Sequence, residues 1–212
     1  MDQVRPRELD YLSFTFCGYR QEGGAMTEVV DLRYPAGDLL VVSGLPGSGK
    51  TTLIRRAVAP LDAAGVPVRC VDSQDSRLRL ERRLPGRVPY GLYRPVARLL
   101  HFAALRRALR AGGSVVVHDS GRVGLVRRWL ARGVRRRGGA LHLLLLVVEP
   151  AVALEGQMRR GRRVPRRVFA RHRRAMGRLV AGAAAGRLPR GVDSVAVLDR
   201  EAADTVRIIT FG

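Results

Sequence analysis

Lysine is almost missing from this chain: Lys50 is the only one in 212 residues, against 38 arginines. Where positive charge alone was wanted the sequence uses arginine, so the single ammonium marks a place that needs a compact point charge. The lack of a second lysine also excludes guanine recognition of the G-protein kind, which uses an Asn-Lys-x-Asp motif. Cysteine is scarce as well. Cys17 and Cys70 lie far apart and outside any metal-ligand spacing, which argues against a disulfide framework and for a reducing, cytoplasmic setting. The four histidines, His101, His118, His142 and His172, show no paired spacing that would hold zinc. The longest apolar run, Leu143 to Val148, is far below membrane-spanning length, and acids stand near the N-terminus where a signal peptide carries basic and then apolar residues. No membrane partner is expected.

Acids are short in the middle of the chain. Residues 76 to 192 hold 29 basic residues and only four acids, Glu81, Asp119, Glu149 and Glu155, a local charge of +25 within an overall +21. GC-rich coding accounts for arginine in bulk. Its concentration in one stretch is also the footprint expected for nucleic acid or another polyanion.

Against these absences stands one dense motif. Gly44-Leu45-Pro46-Gly47-Ser48-Gly49-Lys50-Thr51, followed by Thr52, is the full G-x-x-x-x-G-K-[ST] pattern of a phosphate-binding P-loop. Its context fits. Asp38 to Ser43 reads as a short buried strand ahead of it, and Thr51 to Val58 as an amphipathic helix behind it. The glycines let backbone N–H groups wrap phosphates, Lys50 reaches between the β- and γ-phosphates of a nucleotide, and the Thr51 hydroxyl is placed to ligate magnesium.

The rest of the chain alternates between strand and helix. Strands are predicted at 39–43, 66–71, 114–119, 141–148 and 195–198, with helices at 51–63, 121–137, 151–160 and 164–182. A charged segment and a Pro/Gly/Tyr-rich loop run through Pro95, ahead of a helix whose apolar side carries Val96, Leu99, Leu100, Ala103, Leu105 and Leu109. The tail from Thr205 to Phe211 fits strand or helix. Residues 1–36 show no sustained period and read as a disorder-prone N-terminal extension to a domain over 37–212, with Met26 a second candidate start. Such alternation predicts a parallel sheet covered on both faces, with its ligand site at the carboxyl ends of the strands.

Three further features carry chemistry. Asp119 closes a hydrophobic strand, where a P-loop protein keeps the acid that helps hold magnesium; an acid there also serves as a helix cap. The second strand ends in Val71-Asp72-Ser73-Gln74-Asp75-Ser76-Arg77. There a carboxylate can orient and deprotonate an attacking hydroxyl while Arg77 holds negative charge, or can cap the next helix, a part that suits Asp75 better. The run from Arg159 to Pro165 joins two helices through a basic turn that reads either as a mobile lid, with Arg160 over the phosphates, or as a solvated loop.

These residues resemble the small P-loop kinases grouped with polynucleotide 5′-hydroxyl kinase, zeta toxin and chloramphenicol phosphotransferase, broadly AAA-family ATP-binding proteins. The likeness spans residues 38 to 200. It implies a three-layer α/β sandwich with a mainly parallel five-stranded sheet in the order 2-3-1-4-5 and an arginine-bearing lid. It also implies ATP and magnesium on Lys50 and Thr51, Asp72 as general base and Arg160 as lid arginine. Two departures are visible: Arg77 follows Asp72 at a longer spacing than usual, and Ser120-Gly121 follow Asp119 where a Thr or Asn pair is common. The expected activity is phosphoryl transfer from ATP to a hydroxyl of a small molecule or a nucleic-acid end, with Asp75, Arg77, Tyr90, Tyr93, Arg94 and His101 as candidates around the acceptor. The competing expectation is a nucleotide-binding, nucleic-acid-associated regulatory ATPase. A ring-forming motor is disfavoured because Ser120 stands where such machines place a catalytic glutamate.

Overall fold

Strands made of leucine and valine with no polar alternation must be covered on both faces, and the centre of this protein is built from two of them. The computed structural model describes residues 14–17, 30–84, 88–119, 124–159, 161 and 164–212. In chain order the elements are β1 (Phe14–Cys17), β2 (Val30–Tyr34), β3 (Leu39–Gly44), α1 (Lys50–Ala57), β4 (Arg69–Asp72), α2 (Ser73–Glu81), α3 (Tyr90–Arg110), β5 (Val115–Asp119), α4 (Gly124–Arg135), β6 (Leu141–Leu146), α5 (Pro150–Met158), α6 (Arg166–Ala184), β7 (Ser194–Leu198), α7 (Arg200–Thr205) and β8 (Val206–Phe211). One sheet runs β1-β7-β6-β3-β5-β4 with every pairing parallel. Counted from β3, the five strands other than β1 follow the expected order 2-3-1-4-5. β3 lies between β5 and β6, and Leu39, Leu40, Val41 and Val42 are wholly buried.

The N-terminal reading needs correction. Residues 14–17 add a sixth strand beside β7, and Val30–Tyr34 pairs with β8 in a separate two-stranded sheet. Both partners come from the far end of the chain, so no local period announces them. The open tail is therefore a strand. α1 stops at Ala57, short of the expected 63, just ahead of Pro60.

α3 is corrected in two ways. It begins at Tyr90 and carries Pro95 inside it, where a loop was expected. It also turns Val96, Leu99 and Leu100 outward, together with Leu92, and buries Tyr93, Ala97, Leu105, Ala108 and Leu109. Both stripes are apolar at helical spacing, so periodicity alone cannot choose the inner one.

Below β3, at its amino end, a buried polar network ties three strands. The Asp38 carboxylate accepts from Ala140 N at 2.7 Å and lies 2.7 Å from His142 Nε2, while His142 Nδ1 lies 2.7 Å from Ser194 Oγ. Asp38 is 3% and His142 6% exposed. Removing one member strands the others in a dry site. Asp38→Ala should therefore cost about 3 kcal/mol, read as a shift of the urea midpoint, whereas Asp204→Ala in an exposed pair should leave the midpoint nearly unchanged.

Candidate active site

A phosphate needs backbone donors that no side chain blocks, and the loop between β3 and α1 supplies them. Gly47 and Gly49 take φ of 89° and 94°, left-handed values that glycine adopts without strain. A Cβ at Gly47 would fall 2.0 Å from the Ala153 carbonyl, and one at Gly156 would fall 2.4 Å from the Gly47 carbonyl, so loop and α5 touch through bare backbone. At Gly49 a Cβ would meet nothing within 4 Å, and here the loop opens outward. Gly49 is also the N-cap of α1 and offers no side-chain acceptor, which leaves first-turn N–H groups to an anion.

Lys50 is buried, and its Nζ donates to Gly44 O at 2.9 Å, Leu45 O at 2.7 Å and Ser48 Oγ at 3.3 Å. An ammonium already ringed by loop oxygens is suited to exchange some of them for phosphate oxygens. Beside it, Ser43 and Asp119 are register partners on β3 and β5, and the Ser43 hydroxyl is buried without a hydrogen-bond partner among the described residues. Thr51 and Asp119 are hard oxygen donors of the kind magnesium takes. Among the described residues no group of three or more His, Cys, Asp or Glu gathers into a metal cage.

Next to the loop, on β4 and β5, Asp72 and His118 face each other in register. Asp72 divides its two oxygens. Oδ1 accepts from Gln74 N at 2.9 Å and caps α2; Oδ2 accepts from His118 Nδ1 at 2.7 Å. Asp75, the expected cap, instead lies exposed in the first turn of that helix. Burial pushes the Asp72 carboxyl up, but the His118 hydrogen bond and charge, the Gln74 N–H and nearby Lys50 together hold it below its ordinary value. It is a carboxylate at neutral pH. The same His118 nitrogen lies 3.5 Å from Thr51 Oγ1, so one imidazole touches both Thr51 and Asp72.

His101 reaches the same region from α3. Its Nδ1 is buried without a hydrogen-bond partner among the described residues, and burial lowers its pKa against the raising influence of Asp72 and Asp119. Arg77 and Tyr93 have other company: Arg77 Nε and Tyr93 Oη each donate to Glu81 Oε1 at 2.6 Å and clasp α2 to α3. Tyr90 opens α3, and Arg94 is exposed one turn on. Arg160 lies outside the described residues. Its flanks are anchored by Gln157, a buried residue that the sequence reading missed. Gln157 Nε2 donates to Pro46 O at 3.0 Å and Oε1 accepts from Val164 N at 3.0 Å, joining the P-loop to the far side of the basic turn. His118 was missed as well, although its place one residue before a strand-end acid was a usable signal.

A family model described as an AAA domain matches residues 39–179, two thirds of the chain. The chain belongs to that family. No curated protein matches it. Its fold is that of the P-loop group, shared with a structure of the PezAT toxin–antitoxin system of Streptococcus pneumoniae at TM-score 0.53 and 14% identity, covering 82% of this chain and 77% of that one. A candidate kinase of Chloroflexus aurantiacus aligns at TM-score 0.51 and 18% identity, over 77% of this chain and 85% of its own. No helix of the described residues is long and apolar enough to cross a membrane.

Two measurements test this site. Lys50→Ala should abolish the thermal stabilisation given by ATP with magnesium, because no other lysine can replace the ammonium. The second is a pH profile. A folded-state pKa held down means that the Asp72 contribution to stability is complete above the ordinary range near pH 4 and is lost as pH falls through the lowered value. Asp72→Asn should flatten that part of the acid limb in urea midpoints taken from about pH 6 to about pH 3.

Proposed function

We propose that this protein is an ATP-dependent kinase that transfers the γ-phosphoryl group to a hydroxyl on a small molecule or a nucleic-acid end. One observation carries the reading. Two carboxylates with different surroundings, Asp72 and Asp119, end the two strands next in order to the P-loop strand, one bonded to a histidine and the other in register with Ser43.

In this reading the loop N–H groups and Lys50 hold the β- and γ-phosphates, and Thr51 and Asp119 hold magnesium. Magnesium held there would supply positive charge that offsets the charge of the phosphates. Asp72 then orients the acceptor hydroxyl and receives its proton, while His118 acts as a positioning residue through Nδ1–H. A carboxylate held below its usual pKa is a weak base. That suits a loose, metaphosphate-like transition state, in which the attacking oxygen needs aim more than deprotonation. Arg160 would steady charge on the phosphoryl group in transit, and His101 would border the acceptor beside Asp72 and Asp119. The AAA domain family and the fold shared with a candidate kinase support this reading.

The two acids should fail differently. Asp72→Asn should lower transfer of labelled γ-phosphate by roughly 10²- to 10⁴-fold while ATP affinity holds. Asp119→Asn should weaken magnesium-dependent ATP binding and turnover together. Transfer undetectable in the wild type against oligonucleotide ends, nucleosides, sugars and aminoglycoside-like alcohols would leave the regulatory ATPase as the better description.

A further inference from the structure

Some arginines on this protein have a fixed partner. Arg77 and Arg159 each pair with a carboxylate along their own helix, Arg135 pairs with Asp193, Arg207 with Asp31, and Arg56 donates to backbone carbonyls. One place gathers three arginines around a single cleft. Between α4 and α6 an open cleft of about 440 Å³ is lined by Arg127, Arg178 and Arg187, with no acid among its lining residues. Its remaining walls are small or apolar, among them Gly124, Gly182 and Leu179. Arg178 and Arg187 are exposed, and their side chains have no ion pair or hydrogen bond among the described residues. A comparable cleft on the C-terminal sheet, lined by Arg33 and Arg207, includes Asp31 and Asp62 in its wall.

Three guanidinium groups around one cleft repel one another, and an anion seated between them reverses the sign of that interaction. Planar guanidinium forks match tetrahedral phosphate oxygens in particular. The position of the cleft is informative too. Arg127 is buried, and its Nη1 lies 3.9 Å from Asp119 Oδ2, so the cleft is one side chain away from the acid assigned to magnesium.

We infer that this cleft is a second phosphate-binding site, distinct from the P-loop, which holds a phosphoester group carried by the acceptor. The binding site stands on its own observations; only the assignment of its phosphate to the acceptor rests on the kinase reading. The acceptor is then an alcohol that already bears phosphate, either a nucleic-acid strand with a free hydroxyl end or a small phosphorylated alcohol. Arg127 bridges the two regions and sets the acceptor on the Asp119 side of the nucleotide.

The test uses the full chain without ATP. A 3′-fluorescein oligothymidylate with a 5′-hydroxyl is titrated by anisotropy into the wild type, into Arg178→Ala/Arg187→Ala, and into Arg79→Ala/Arg82→Ala, which removes the same charge from exposed positions on and just after α2. Glycerol 3-phosphate and inorganic phosphate serve as competitors. The cleft variant should bind at least about tenfold more weakly, and its log–log salt slope should flatten by roughly 1.4, as expected for two lost contacts to a single strand. The α2 variant should stay close to the wild type. Competition by glycerol 3-phosphate in the wild type that disappears in the cleft variant would point to a small phosphoester; loss confined to the oligonucleotide would point to a strand. Equal losses in the two variants, or no loss in either, would overturn the site. Labelled ATP is then added to each. If the wild type transfers phosphate to no phosphate-bearing alcohol while the binding loss persists, the site stands and the acceptor assignment falls.

Discussion

A buried ammonium must direct its three protons at oxygen, and Lys50 finds three oxygens in the loop that carries it. That requirement shapes the neighbourhood. To bring Gly44 O, Leu45 O and Ser48 Oγ onto one nitrogen the chain has to reverse sharply twice, which Gly47 and Gly49 do at positive φ. At Gly47 the loop presents bare backbone, so α5 packs backbone to backbone against it through Gly156. Gln157, next in that helix, closes the contact by donating to Pro46 O. The strand that feeds the loop sits near the middle of the sheet, with β5 and β6 fixing its carboxyl end from both sides. Disturbing any of these contacts changes which oxygens face the ammonium.

The acids divide between the two ends of the sheet. At the amino ends they are saturated by backbone donors. Asp62 accepts from Ala64 N, Val66 N and Ser114 Oγ, and Asp193 accepts from Leu141 N and pairs with Arg135. Their positions are set by chain segments they staple together, and none faces a cleft next to the P-loop. At the carboxyl ends Asp72 has a different neighbour, an imidazole on the adjacent strand. A carboxylate bonded to a side chain in this way stays aimed while keeping lone pairs for an incoming hydroxyl. His118 gives the sheet's working end a group that ties aim on the acceptor side to Thr51 on the metal side.

How much of this was legible in the sequence follows from how local each signal is. The P-loop, the buried runs of β3, β5 and β6, and the strand-closing position of Asp119 are contiguous patterns, and each reads correctly from a few neighbouring residues. The sheet order followed from the resemblance that those patterns carry. β1 and β2 were illegible because their partners, β7 and β8, lie more than 170 residues away along the chain. α3 misled because Leu92, Val96 and Leu99 make as good a helical stripe as Tyr93, Ala97 and Leu105, and only packing tells them apart. The capping role moved from Asp75 to Asp72 for a geometric reason. β4 extends to Asp72, so Asp72 itself is the last extended residue, with the φ and ψ of a cap. His118 and Gln157 act through neighbours distant in sequence, which a linear reading cannot supply.

The same locality argument explains why arginine could replace lysine nearly everywhere. Arg56 caps the end of α7 with donors to the carbonyls of Ala203, Asp204 and Val206, and Arg137 spans from Leu109 O to Gly37 O. These are fork contacts, several fixed donors reaching several carbonyls, and an ammonium on a flexible stem makes them poorly. Exposed arginines need only be charged and soluble, a demand either residue meets. Inside the loop the demand is reversed. A guanidinium is too broad to be enclosed by Gly44 O, Leu45 O and Ser48 Oγ, and its planar fork cannot point protons in three directions at once. The chain therefore keeps its one lysine at the only described position where three oxygens converge on a single cationic nitrogen.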